Sequence, residues 1–411
     1  MTSDQQQAYV WIWLPGAVEP VVAGRLDFVG PVVTFTYGRS YIERGDKIPL
    51  YLPELPFGDD AIPPRIGNIA GCIADAGPDA WGMRVILNHH NSRETADPDR
   101  LSVLTYLLES GSDRIGALDF QVSPTEYVPR SIDHATLEDL AEAADRVDRG
   151  LPLSSELDLA LVHGSSGVGG ARPKALLRNG ERQLIAKFSS TSDTYAVVKG
   201  EFVSMELARR AGLRVAPVRL TEALGRDVLL VERFDRTGDG NRRAMVSALT
   251  ILELEEMTAR YASYADLADI IRARFTNARE TLRELFARIT FNILVSNTDD
   301  HPRNHAAFWD GQTLTMTPAY DICPQLRSGG EAAQLMAIGR DGWRFSQLAG
   351  CVERASVYLL SETDARDIID RQIDVIKSQW DEVTELARLT TIEELGFQHQ
   401  QFLNPYALEG Y

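Results

Sequence analysis

The sequence is poor in cysteine and in positive charge, and it has no long apolar run free of charge. Three cysteines, Cys72, Cys323 and Cys351, are scattered over 411 residues with no C-x-x-C pair, so a structural zinc site and a disulfide framework both lack their ligands. That usage fits a reducing compartment. No stretch reaches roughly eighteen uncharged apolar residues, and the opening MTSDQQQAYVWIWLPGAVEP has no basic n-region, which argues against a membrane span and a secretory leader. We therefore expect a soluble, cytoplasmic protein without membrane contact. The 42 basic residues are outnumbered by 59 acidic ones, a net charge of −17, and a surface of that sign repels nucleic-acid backbones and anionic lipid. Direct nonspecific DNA binding is a poor reading. Internal repeats and low-complexity tracts are also missing.

What is present is globular. With 44% hydrophobic and 25% charged residues, the chain has the composition of a folded protein, and its length predicts two or three domains of about 100–200 residues each. From Tyr9 to Leu52 the runs VWIWL, VVTFTYG and IPLYL, broken by Gly and Pro, read as strands and turns. Helical spacing follows at Asp79–Leu87 and at Leu137, Leu140, Ala141, Ala144 and Val147, with Thr136 and Asp139 placed as a capping pair and Gly150 as the stop. After a Gly/Ser-rich stretch, Asn179-Gly180 between two apolar runs predicts a β-hairpin. A helix ending at Gly212 and strands over 214–220 and 226–234 come next. Beyond Gly240 the pattern is helical, with Leu282, Leu285, Phe286, Ile289 and Ile293 on one buried face and Ala365, Ile369, Ile373, Ile376, Trp380 and Val383 on another. Thr237–Arg243 reads as a linker or mobile turn. The expected division is a β-rich then helical N-terminal module over 1–150, a nucleotide-binding loop, hairpin and hinge over 151–236, and a helical catalytic lobe over 237–411.

Three polar clusters could carry chemistry. In Gly164–Lys174, HGSSGVGGARPK without its first residue, glycines let the backbone approach an anion and Arg172 and Lys174 add positive charge. The same stretch reads equally as a linker, and no Gly-Lys-Ser/Thr follows to make it a Walker A loop. Lys187 interrupts the apolar strand Leu184–Phe188, and either reaches solvent or finds an anion. The third cluster, Asn297-Thr298-Asp299-Asp300-His301-Pro302-Arg303-Asn304-His305, follows an amphipathic helix, and Asp321 comes seventeen residues after Asn304. Protein kinases place a base Asp five residues before a metal-binding Asn, with a second metal-binding Asp later. Asp299 to Asn304 has that spacing. A capping loop rich in Asp and Asn is the alternative; a zinc pair of His301 and His305 is disfavoured because Pro302 breaks the helix that i,i+4 ligation needs. The order of the clusters favours phosphoryl transfer, since separate accidents would have to imitate the sequence of parts in a kinase. Asp321 and Asn304 then need Mg²⁺ to approach ATP, Lys187 offsets phosphate charge, and Asp299 accepts or positions the hydroxyl proton.

These segments resemble the HipA family of bacterial serine/threonine kinases, the toxin half of HipBA-type toxin–antitoxin modules, over nearly the whole chain. The likeness is carried by Gly24, Phe35 and Tyr37, by Leu52–Phe57 (LPELPF), Pro78–Gly82 (PDAWG) and Asp113–Leu118 (DRIGAL). It is most specific at Gly169–Lys174, Val231–Arg236 (VERFDR), Asn297–Asn304 and Ala319–Asp321. It implies an α+β, bilobal protein-kinase-like fold and an Mg-ATP-dependent serine/threonine kinase. Asp299 would be the catalytic Asp and Asn304 and Asp321 the Mg²⁺ ligands. Lys187, with Ser166, Gly169, Gly170 and Lys174 of the loop, would lie on the ATP phosphates, and Glu232–Phe234 along the adenine. A serine in the loop would be autophosphorylated to silence the enzyme. Counting back from Lys174 puts the family's serine on Gly167, so an insertion of one residue leads to Ser166, with Ser165 next. The resemblance further implies a small helix-turn-helix, HipB-like antitoxin through which DNA is reached only indirectly, and a protein substrate among the aminoacyl-tRNA synthetases. A different class remains open: a nucleotide-binding co-repressor or antitoxin-binding module that transfers no phosphate.

Overall fold

The alternation over Tyr9–Leu52 builds three strands, β1 (Gln7–Ile12), β2 (Val21–Val29) and β3 (Val32–Tyr37). The computed structural model describes residues 6–92, 101–131, 135–165, 167, 170–180, 182–190, 193–238, 240–327, 330–398 and 400–411. Its chain forms two compact units, each assembled from separate stretches: Met1–Ser192, Thr221–Val246 and Phe308–Gln312 in the first, Asp193–Leu220, Ser247–Ala307 and Thr313–Tyr411 in the second.

In the first unit, β1, β2 and β3 join β4 (Leu118–Gln121) in an antiparallel sheet of order β3-β2-β1-β4. Gly24 pairs with Tyr37 across it, and a Cβ at Gly24 would fall 2.2 Å from the Thr36 carbonyl oxygen and 2.6 Å from the Phe35 ring, so only glycine fits. That packing accounts for the Gly24, Phe35 and Tyr37 pattern. Glu54 of the LPELPF run accepts hydrogen bonds from the Gly71 and Cys72 amides at 2.5 and 2.9 Å, so its role is to cap a short helix.

Three helices follow: α1 (Ala80–Ser92), α2 (Leu137–Asp148) and α3 (Ser155–Ser165). Thr136 and Asp139 form a reciprocal capping box at the start of α2, and Gly150 takes φ +68° just past its end, as the spacing predicted. A second sheet has the order β5-β6-β8-β7, from β5 (Lys174–Asn179), β6 (Arg182–Phe188), β7 (Val218–Ala223) and β8 (Arg226–Glu232). Leu184, Ala186, Phe188, Val228 and Leu230 on one of its faces pack with Trp81, Leu140 and Leu161 of the helices. Each large side chain buried this way contributes on the order of 1.5–3 kcal/mol. The hairpin lies where it was expected, with Asn179 paired to Arg182.

The Thr237–Arg243 stretch differs from the linker expected. It folds back through Thr237 N–H to Asn241 O and Arg243 N–H to Asp235 O, and the Arg242 guanidinium lies 3.5 Å from the centre of the Trp13 ring while donating to Ser112 O. Cation–π attraction and a buried hydrogen bond pin a segment that polarity alone reads as loose.

In the second unit, α4 (Val197–Ala211) ends at Gly212 in the left-handed region and packs against α7 (Glu362–Leu386). Between them in sequence come α5 (Tyr264–Arg274) and α6 (Ala278–Leu294). Every apolar residue predicted for the inner faces of α6 and α7 is buried. Among the described residues, no helix is long and apolar enough to cross a membrane.

The DRIGAL and VERFDR motifs of the first unit serve each other. The Asp235 carboxylate accepts from Arg233 Nη2 at 2.8 Å, Arg236 Nη1 at 2.9 Å and the Gly116 amide at 2.8 Å, while Asp113 accepts from Arg233 and Arg236. Burial alone would raise the Asp235 carboxyl, but the two guanidiniums outweigh it and hold it below the ordinary aspartate value. Removing one partner of such a network strands buried charge. Asp235→Asn should therefore lower unfolding stability at neutral pH by roughly 3–5 kcal/mol. Because the native carboxyl is depressed, its contribution is complete above the unfolded-state value of about 3.9 and fades as pH falls below it. Denaturant titrations of wild type and variant should diverge at neutral pH and converge in acid; equal stabilities at neutral pH would contradict this account.

Candidate functional site

The Asp/Asn cluster sits where α6 runs out. Ser296 takes φ +55°, turning the chain so that the Ser296 and Asn297 amides close on the Ile293 and Asn292 carbonyls at 3.2 and 2.8 Å. This is a left-handed helix stop made without glycine. The loop then exposes Asp299 and buries Asp300. Oδ2 of Asp300 accepts hydrogen bonds from the Tyr264 hydroxyl of α5, from Asn292 Nδ2 of α6 at 2.8 Å and from His305 Nε2 at 2.7 Å. Burial would raise this carboxyl, but His305 and the hydrogen bonds prevail and hold it below the usual value. Asn297 extends the network by donating to Asn292 Oδ1 at 3.1 Å.

Pro302 opens a short 3₁₀ turn, Pro302–Asn304, closed by the Asn304 amide on the His301 carbonyl at 2.8 Å, and the Asn304 side chain is buried. The polar cluster lies on a loop as expected, but the helix has already ended at Leu294, and Pro302 starts the 3₁₀ turn instead of breaking α6. His305 is committed to Asp300, and among the described residues no group of three His, Cys, Asp or Glu is placed to hold a metal.

Asp321 is carried by a second loop. Ala319 is clamped to the chain at 214–216 by two backbone hydrogen bonds of 2.7 and 2.9 Å. The Tyr320 hydroxyl donates to the Arg303 carbonyl at 2.7 Å, which ties this loop to the turn bearing Asn304. Buried Arg288 holds the same segment through Thr317 O at 2.8 Å. Asp321 itself takes φ +60°, a conformation that a non-glycine residue keeps only where its surroundings enforce it. The carboxyl of Asp299 is pushed above its ordinary value, first by burial, then, against the opposing pull of His301, by the neighbouring carboxylates of Asp321 and Asp300. Asp299 and Asp321 are therefore electrostatic neighbours.

In the first unit, Lys187 lies on β6 directly opposite Lys174 on β5 and Leu229 on β8, on the sheet face away from the core. Lys174 is buried, its ammonium 3.9 Å from Asp79 Oδ2. Gly170 takes φ +114°, and a Cβ there would lie 2.1 Å from Lys174 Nζ. Two contacts bind this loop to motifs that the sequence flagged without a role: Trp81 N–H to Gly170 O at 3.4 Å, and Ile115 N–H to Gly167 O at 3.3 Å. Ser165 is the last residue of α3; Ser166 and Gly169 lie outside the described residues. Glu232, partly exposed, is 3.7 Å from Arg182, and the Phe234 ring meets Phe308 edge to face at 5.9 Å. On α4, Glu206 accepts hydrogen bonds from Arg209 and Arg210.

The carboxylates of the second unit have the chemistry that a divalent cation takes. Asp299 and Asp321 raise each other's cost of ionisation, which a divalent cation between carboxylates removes. The buried amide of Asn304 is a further oxygen donor of the kind hard cations take.

The family described as HipA-like C-terminal domain matches residues 166–380, just over half of the chain. The Sinorhizobium fredii protein Y4mE, named as a candidate kinase, is 31% identical over 186 residues, 40% of this chain and 43% of its own. The serine/threonine-protein kinase toxin HipA of Shewanella oneidensis is 27% identical over 183 residues, 38% of this chain and 42% of its own. The matched stretch is thus less than half the length of either relative. In three dimensions, a chain from the complex of the Shewanella oneidensis HipA, HipB and operator DNA superposes with a TM-score of 0.68 at 19% identity, covering 95% of this chain and 94% of that one. The fold is shared throughout.

If Asp299 and Asp321 are neighbours, Asp321→Asn should bring the Asp299 pKa down toward the ordinary value of about 3.9, read by carboxyl NMR titration of the metal-free protein. An unchanged Asp299 titration would separate the two groups.

Proposed function

The chain belongs to the family of HipA-like C-terminal domain proteins, and from that premise we propose that it is an Mg-ATP-dependent serine/threonine protein kinase acting as the toxin of a toxin–antitoxin pair. The observation that supports this reading is the influence of the Asp321 carboxylate on Asp299, on loops held by the buried Asp300 and by Tyr320. Asp299 accepts the hydrogen bond of the incoming hydroxyl and takes its proton. Its raised carboxyl suits that task, since a base works best when its pKa lies nearer the working pH. Asn304 and Asp321 hold the metal. When bound, Mg²⁺ neutralises charge on the phosphate oxygens. Lys187 supplies positive charge for the phosphates, with the backbone at Gly170 close beside the lysine pair, and Glu232–Phe234 line the base. Holding these groups in place before the reaction is worth more than any new bond they form.

The partner is a small helix-turn-helix antitoxin, by analogy with the HipB bound to the HipA structure that shares this fold. A protein of net charge −17 reaches an operator through a partner that contributes the basic surface. The phosphate acceptors are a component of translation and the chain's own Ser165 or Ser166.

Mass spectrometry after incubation with Mg-ATP should find phosphate on one of these serines or on a co-purified protein. Asp299→Asn should reduce transfer by about 10²–10⁴-fold, Asp321→Asn should do so at least as severely, and both should retain wild-type circular dichroism. Transfer by either variant at the wild-type rate would refute the assignment. Growth arrest on overexpression should likewise be lost with Asp299→Asn.

A further inference from the structure

We propose that Asp79 is a built-in stand-in for nucleotide phosphate: its carboxylate holds the Lys174 ammonium in the nucleotide-free protein, and a phosphate group of the ligand displaces it. This inference rests on the nucleotide reading above. Asp79 precedes the thirteen-residue helix α1 and uses its two oxygens differently. Oδ1 accepts from the Trp81 and Gly82 amides, both at 3.1 Å, and so occupies the positive end of the helix. Oδ2 points to Lys174 Nζ, 3.9 Å away on a strand 95 positions later in the chain. An ordinary capping aspartate needs only the first of these contacts. Helix amides and a buried ammonium are together the groups that receive phosphate in nucleotide sites, and here one carboxylate engages both.

The surroundings hold Lys174 in place for that exchange. The Trp81 indole N–H donates to the Lys174 carbonyl at 3.0 Å, and its amide donates to the Gly170 carbonyl at 3.4 Å. The space that a side chain at Gly170 would need is taken by the ammonium, 2.1 Å from the Cβ position, with Asp79 Oδ2 at 3.8 Å. Lys174 is only 3% exposed, and a buried ammonium needs an anion beside it. Asp79 provides one while no nucleotide is bound. Lys187 stands directly across the strand pair from Lys174, so an incoming polyphosphate meets a second lysine on the neighbouring strand. The PDAWG motif thereby acquires a role: it presets the lysine and competes for it.

Competition of this kind weakens the apparent affinity for nucleotide by the fraction of protein in the closed pair. Asp79→Asn and Asp79→Ser both keep a helix cap and remove the competing charge. Isothermal titration with Mg-ATP should give each variant a dissociation constant about tenfold lower than wild type. The nucleotide-free variants should melt at lower temperature and show a larger upward shift with Mg-ATP. In a Lys174→Met background the substitution at Asp79 should bring no gain in affinity. Variants that bind Mg-ATP as wild type does, or more weakly, would overturn the proposal while leaving the nucleotide site standing. If wild type and both variants all fail to bind Mg-ATP, the nucleotide reading itself falls, and this inference with it.

Discussion

A carboxylate taken out of water must be answered by donors on every side that matters, and Asp300 shows what that requirement builds. Its three donors come from three separate stretches: Tyr264 on α5, Asn292 on α6 and His305 beyond the 3₁₀ turn. Losing any one of them weakens the pairing of a buried charge. The loop between them is therefore fixed in register, and Asp299, the next residue back, is held outward. Such a buried network is weak evidence for stability. Its value is geometric, because it fixes the position of the adjacent carboxylate.

The first unit applies the same requirement with the opposite sign. Arg233 and Arg236 are buried guanidiniums answered by Asp113 and Asp235, and that network joins two motifs more than a hundred residues apart in sequence. The DRIGAL motif in turn contacts Gly167, and the PDAWG motif contacts Gly170. Motifs that resemble binding signatures are here chiefly the scaffold on which a glycine-rich loop is mounted.

Much of this was legible in the sequence. Periodicity marks the inner faces of α6 and α7, the Thr136–Asp139 capping box is local, and Pro302 places Asn304 on a 3₁₀ turn, although the stop of α6 at Ser296 carried no local signal. Adjacent identical residues are harder. Nothing local distinguishes Asp299 from Asp300, since the difference lies in Tyr264 and Asn292, which only tertiary structure brings near. Tyr320 lies in a segment that the resemblance marks, but nothing local shows that its hydroxyl links the two loops. Lys174 was read as a charge offered to a ligand, whereas the fold buries it beside Asp79. Thr237–Arg243 misleads in the opposite sense: its polar composition hides an arginine stacked on Trp13.

The account stands or falls on whether the two loops of the second unit make a divalent-cation site that works only with nucleotide. Mn²⁺ can replace Mg²⁺ and report its own ligands, so electron paramagnetic resonance of the full chain with Mn²⁺ and ATP is the most direct measurement. The account predicts a bound Mn²⁺ signal that requires ATP and disappears in Asp321→Asn. A bound signal of equal strength in wild type and Asp321→Asn, or none in wild type, would contradict it.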